Sequence, residues 1–155
     1  MIQRIQSVYL LLTTLLSALF LTGKILTFKG EKGTDFIMNI KGTWQITETG
    51  GNVMIQNQVP VLVVLILIIL LSLVTIFFYK RRKLQLKLNI GVIVLIITFI
   101  GVLLFYALSI IKKYQASLVP GWKMFIPFLM ILSGILTYRG IKKDEELVKS
   151  YDRLR

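Results

Sequence analysis

The chain has no cysteine and no histidine among its 155 residues. Without cysteine there is no disulfide, no thiolate metal ligand and no thiol nucleophile. Without histidine the usual haem and zinc ligand is gone, and so is the commonest general base. Acids are scarce: seven, against nineteen lysines and arginines, for a net charge of +12. All seven (Glu31, Asp35, Glu48, Asp144, Glu145, Glu146 and Asp152) lie outside the long apolar runs. An ion pump, proton-coupled carrier or voltage sensor normally keeps an ionisable group at membrane depth. The three acids between residues 31 and 48 fit no calcium-loop spacing. Gly50-Gly51 is not followed by the lysine-serine element of a phosphate loop. No catalytic residue, metal ligand or cofactor is expected, and the chain reads as non-enzymatic.

What is abundant is hydrocarbon. The composition is 55% hydrophobic and the mean hydropathy is +0.77, more apolar surface than a soluble domain of this size can hide. Four runs carry it: about 5–23, 59–79, 88–111 and 120–138. A stretch of about 18 or more apolar residues is long enough to cross a bilayer as a helix. Arg4 before the first run also fits the charged start of a signal peptide, but the run is long for one and no small-x-small cleavage site follows. Pro60 falls in the first turn of the second run, where its missing N–H is harmless. The fourth run is charge-free only from Met124 to Tyr138 and reaches a full crossing if Lys123 snorkels; Pro127 is positioned to kink it. The expected fold class is an all-α integral membrane protein: a four-helix transmembrane bundle, with a small β-rich periplasmic loop between spans one and two and a cytoplasmic C-terminal helix. The whole chain, 1–155, forms a single membrane domain.

Basic residues set orientation, because lysine and arginine in short loops are retained on the cytoplasmic side. One side of the expected bundle holds twelve of them and the other seven. The densest group is Lys80, Arg81, Arg82 and Lys83, read here as topology-determining. Both termini are therefore expected in the cytoplasm. The positive charge belongs to helix ends and headgroups, and no aromatic-interleaved basic stretch points to nucleic acid.

Between the first two runs, residues 24–58 look ordered. Phe36, Met38 and Ile40 alternate onto one face, Lys41-Gly42 is a candidate turn, and Thr43 to Thr47 alternates with Trp44 and Ile46 on a face expected to be buried. Thr49 to Asn52 is a second turn signal, and Val53 to Gln56 a third strand. The polar content of the spans is read as hydroxyls and glycines. Thr13/Ser17, Thr14/Ala18 and Ala18/Thr22 are small residues four apart that let helices approach closely in lipid. The tail, 139–155, reads as a helix with the pairs Glu145/Lys149 and Lys142/Glu146. Its apolar stripe Ile141, Leu147, Val148, Tyr151 and Leu154 is a possible partner-docking face.

The opening MIQRIQSVYLLL and the closing RGIKKDEELVKSYDRLR resemble a family of four-span inner-membrane proteins of Bacteroidota, the domain of unknown function four-two-nine-three. The resemblance covers essentially the whole chain and implies a Gram-negative inner-membrane location. It implies no activity and no site residues. The layout is also similar to claudin-type architecture, though the cysteine pair of that group is missing. The function expected is that of an accessory or scaffold subunit embedded in the lipid bilayer and bound to another membrane protein. The alternative is a small transporter or pore acting as a homo-oligomer.

Overall fold

A computed structural model describes residues 5–30, 34–46 and 52–153. Helix α1 spans Ile5–Leu21 and is followed by strands β1 (Lys24–Lys29), β2 (Asp35–Asn39), β3 (Gly42–Ile46) and β4 (Asn52–Asn57). Helix α2 (Val59–Phe77) leads through a 3-10 turn, Phe78–Lys80, into α3 (Arg82–Tyr114). Strand β5 (Ser117–Val119) and a second 3-10 turn, Trp122–Phe125, precede α4 (Ile126–Arg153).

The expected all-α class is overturned. Five strands form one antiparallel sheet in the order β4-β3-β2-β1-β5. Its last strand comes from the α3–α4 connection, not from the loop between the first two helices. The four-span expectation is corrected too. Among the described residues three segments are long and apolar enough to cross a membrane: Val59–Phe77, Arg82–Tyr114 and Trp122–Glu146. α1, at 17 residues, is shorter than these.

The helices nonetheless pack in a ring, each against two neighbours, α1 beside α2 and α4, and α3 beside α2 and α4. Periodicity explains the packing. On α2 the buried positions are Val61, Leu65, Ile68, Ser72 and Thr75; on α3 they run from Gln85 through Asn89, Val92, Ile96, Phe99 and Leu103 to Ile110. Steps of three and four keep one stripe facing the neighbours. The opposite faces are apolar as well, with Phe77 at 79% and Phe105 at 67% exposure. In water such a surface would be a liability; toward lipid tails it is the solvated face. α3, at 33 residues, is about 50 Å long against a hydrocarbon core of about 30 Å, so its ends stand clear of the tails.

Local chemistry fixes the joints. α1 stops before Gly23, whose φ of +67° turns the chain into β1. Gln115 takes the left-handed conformation that ends α3. Pro127 lies in the first turn of α4, so it starts the helix and does not kink it. From there α4 continues through Gly140 without interruption, so the main part of the fourth apolar run and most of the tail share one helix of 28 residues. A Cβ on Gly140 would lie 2.9 Å from the Gln6 side chain, so glycine there serves close packing with α1.

The sheet sits on the end of the ring made by the C-termini of α1 and α3 and the N-termini of α2 and α4. Residues paired across strands share a face. Phe28 pairs with Phe36, and Met38 with Thr43; all four are buried and look toward the helices. Phe36 lies 4.8 Å from the Tyr114 ring of α3, and Thr43 accepts a 2.7 Å bond from the Gln58 amide at the start of α2. Two expectations change here. Trp44 and Ile46 do share a face, but it is the half-exposed outer one. The turn is Ile40-Lys41, so Ile40 lies just past β2, although it packs against the same core as Phe36 and Met38. Gly42 lies in β3, where a Cβ would meet the Gln56 carbonyl of β4 at 2.6 Å. Its role is close strand approach. The turn signal expected at Thr49 to Gly51 lies outside the described residues.

Candidate functional site

Two places carry polar chemistry inside this apolar scaffold: a seam at the end opposite the sheet, and a lysine-ended pocket beside the sheet.

The seam is built from one stripe on each helix. Thr13 of α1 and Ser133 of α4 approach to 2.7 Å between hydroxyl oxygens. Each also lies within bonding distance of a carbonyl on its own helix, Tyr9 at 3.0 Å and Met130 at 2.8 Å. Two hydroxyls own two protons, so three bonds cannot coexist; making the interhelical bond releases one carbonyl. Ser17 and Thr137 donate to the carbonyls of Thr13 and Ser133. From α3, the Asn89 amide donates to the Gly134 carbonyl of α4 at 3.1 Å. Asn89 Oδ1 and Ser72 Oγ are buried with no partner. Gly134 is the reason Asn89 can reach: its missing side chain leaves room for Ile93, 3.1 Å from where a Cβ would stand.

At the rim of the seam three helices meet. Gln6 of α1 donates to the Asp144 carboxylate of α4. Arg82 of α3 donates to the Asp144 backbone carbonyl at 2.7 Å. The four residues read as a topology signal therefore differ. Arg81 and Lys83 are exposed, Arg82 is partly buried and ties α3 to α4, and the side chain of Lys80 lies outside the described residues. The candidate docking stripe divides likewise. Ile141 is wholly buried in the helix ring, so it is not available to a partner. The side chains of Leu147, Val148 and Tyr151, and all of Leu154, lie outside the described residues.

At the sheet end a cavity of about 130 Å³ opens between α3 and α4. Phe20, Ile25, Leu103, Ala107 and Pro127 line its depth, and Leu104 and Phe128, 55% and 63% exposed, form its lip. Lys123 is its one polar lining residue. Only 8% exposed, it donates its ammonium to the Thr22 carbonyl just past α1 and lies 5.7 Å from the Trp122 ring.

Sequence reasoning missed most of this. Asn89 was overlooked inside an apolar run, although Gln85 and Asn89 precede Val92 and Ile96 at helical spacing, a readable sign that both face inward. Lys123 was assigned to snorkelling toward water, whereas its head turns under the sheet. Thr13 and Ser17 do face a neighbouring helix, while Ala18 and Thr22 are exposed. Among the described residues no group of three or more acids could hold a metal ion.

A helical protein with three segments able to cross a bilayer, lipid-like outer surfaces and a sheet at one end is a membrane protein. The chain matches the model of the family described as Domain of unknown function (DUF4293) over residues 2–154, and it belongs to that family. No curated protein matches it.

Proposed function

We propose that the protein is a non-enzymatic subunit of the bacterial inner membrane that binds another membrane protein through its sheet. The supporting observation is the outer face of that sheet. Val119, Thr27, Ile37, Trp44 and Met54 pair in an unbroken row from β5 to β4. An antiparallel sheet with one face on a core normally turns polar residues outward. Here four of the five are apolar: Met54 is 42% exposed, Trp44 and Val119 are half-buried, and Ile37 between them is 9% exposed. The sheet end is assigned to the periplasm. Gln6, Arg82 and Asp144 meet at the other end, which also holds the Lys80–Lys83 cluster and so is the cytoplasmic one. Gln6 near the start of α1 meets Asp144 of α4 at this end, so we assign both termini to the cytoplasm, with the 17-residue α1 running alongside the three longer helices.

A photoreactive residue at Met54, in intact membranes, tests this. A discrete adduct with a second membrane protein is expected, and it should vanish with Trp44→Glu. Adducts only with lipid, or only with a second copy of the chain, would remove the proposal. Orientation is read separately with Met54→Cys and Lys143→Cys, since the chain has no cysteine of its own. An impermeant maleimide should label only the first in intact cells.

The homo-oligomeric transporter draws on the polar seam. Along the axis toward the sheet, however, Leu65, Ile68, Ile96 and Phe99 are all at 0% exposure. They close the interior of the single chain with hydrocarbon, which favours the subunit reading.

A further inference from the structure

The Lys123 ammonium carries three donors. Its bond to the Thr22 carbonyl uses one, and no carboxylate among the described residues pairs with it. A cation this well buried, its stem on the wall of an apolar cavity, calls for an anion. The cavity opens sideways between α3 and α4, over Leu104 and Phe128, on a flank that faces lipid. Trp122, 66% exposed beside Lys123, marks the level of the headgroups, where indole rings prefer to lie. An α-helix of a partner, about 10–12 Å across with its side chains, is too wide for a cavity of about 130 Å³. A single chain of methylenes is not. Charge, depth and opening therefore describe one molecule with a hydrocarbon tail and an anionic head.

We propose that Lys123 and the α3–α4 pocket hold one anionic phospholipid from the leaflet on the sheet side, its acyl chain between Leu103, Ala107 and Phe128 and its phosphate on the ammonium. The site has two separable halves. Lys123 selects the head, and the pocket accepts any tail. The bound lipid would fill the gap between α3 and α4 directly below β5, and so brace the connection that carries that strand.

Native mass spectrometry of the full chain in nonionic detergent tests this, with phosphatidylglycerol and phosphatidylcholine of matched tails. A single phosphatidylglycerol adduct is expected, retained at least tenfold better than phosphatidylcholine. Lys123→Gln keeps a donor for Thr22 without the charge, and should level the two lipids. Lys123→Arg should keep the preference. Ala107→Phe fills the pocket without touching the charge and should lose both adducts. Equal retention of the two lipids by the parent protein overturns the proposal. So does a preference that survives Ala107→Phe, a result that decides even if Lys123→Gln fails to fold. Competition by inorganic phosphate at the lipid's own concentration would also overturn it, because the head would then suffice without the tail.

Discussion

The two ends of the helix ring are held by different means. At the sheet end, every helix terminus runs into a strand or into a turn beside one. The backbone bonds of five strands fix the spacing, and the side chains below can be pure hydrocarbon: Phe20 and Phe99 meet edge to face at 5.1 Å. At the other end, α2 and α3 share one tight turn, and α1 and α4 are joined by no connection there. Side-chain hydrogen bonds take over: Thr13 with Ser133, Asn89 with Gly134, Gln6 and Arg82 with Asp144. Lipid tails are as apolar as leucine, so burial alone does little to join helices in a membrane. Where the backbone cannot hold the helices together, polar atoms must.

The sharpest way to break this contrast is at the sheet end. Phe28 is fully buried, and Phe28→Ala should cost about 3–5 kcal/mol, read as a fall in melting temperature in detergent and as faster proteolysis within residues 24–58. A smaller loss would mean that the strands hold without their core. Asn89→Ala comes next. It removes the bond to Gly134 and with it the unpartnered Oδ1, so about 1–2 kcal/mol is expected in reversible unfolding, with the sheet-end proteolysis unchanged. If both ends loosen together, the ring unfolds as one unit and the contrast is only architectural.

Asp144→Ala should cost about 1 kcal/mol, since a half-exposed clasp to a charged group is weakened by water. Truncation after Glu146 keeps Asp144 and Ile141 and should unfold like the parent, while truncation after Lys143 should cost more than Asp144→Ala, because it also removes the backbone carbonyl that Arg82 holds. The smallest effect belongs to the hydroxyl pair. A double-mutant cycle of Thr13→Ala and Ser133→Ala should give a coupling of about 0.6 kcal/mol, because each hydroxyl alone returns to its own carbonyl. A coupling several times larger would show that the interhelical bond is the ground state and the back-bonds incidental.

How much of this was legible depends on the range of the interaction. The helical stripes of α2 and α3 are local repeats and could be read directly. So could the β2–β3 hairpin, though not its register: Gly42 looks like a turn glycine, and only the closeness of β4 shows that it is a packing glycine. Shifting the turn by one residue exchanges the faces of a strand, which is why Trp44 was expected inside and lies outside. β5 is three residues long and has no local signal at all. It is a strand only because β1 presents a free edge. The tail misled in the opposite sense: its periodicity was visible, but that Ile141 would be claimed by the ring was not. Lys123 follows the same rule, since what receives its head is a carbonyl 101 residues earlier in the chain.

The pairing of β5 with β1 has a consequence in time. Ser117 bonds to the carbonyl of Lys29, 88 residues upstream. Strands β1 to β4 are consecutive in the chain and can pair as soon as they emerge together. The edge of β1 must wait until α2 and α3 have been made and inserted. Contacts of such long separation form late, because the intervening chain has to be ordered first. During synthesis the outer edge of β1 therefore stays open long after β1 to β4 have paired, and an open edge invites pairing with another chain. A slow step between the appearance of α2 and that of Val119 would expose this edge, and the nascent chain would be most prone to misassembly in that interval.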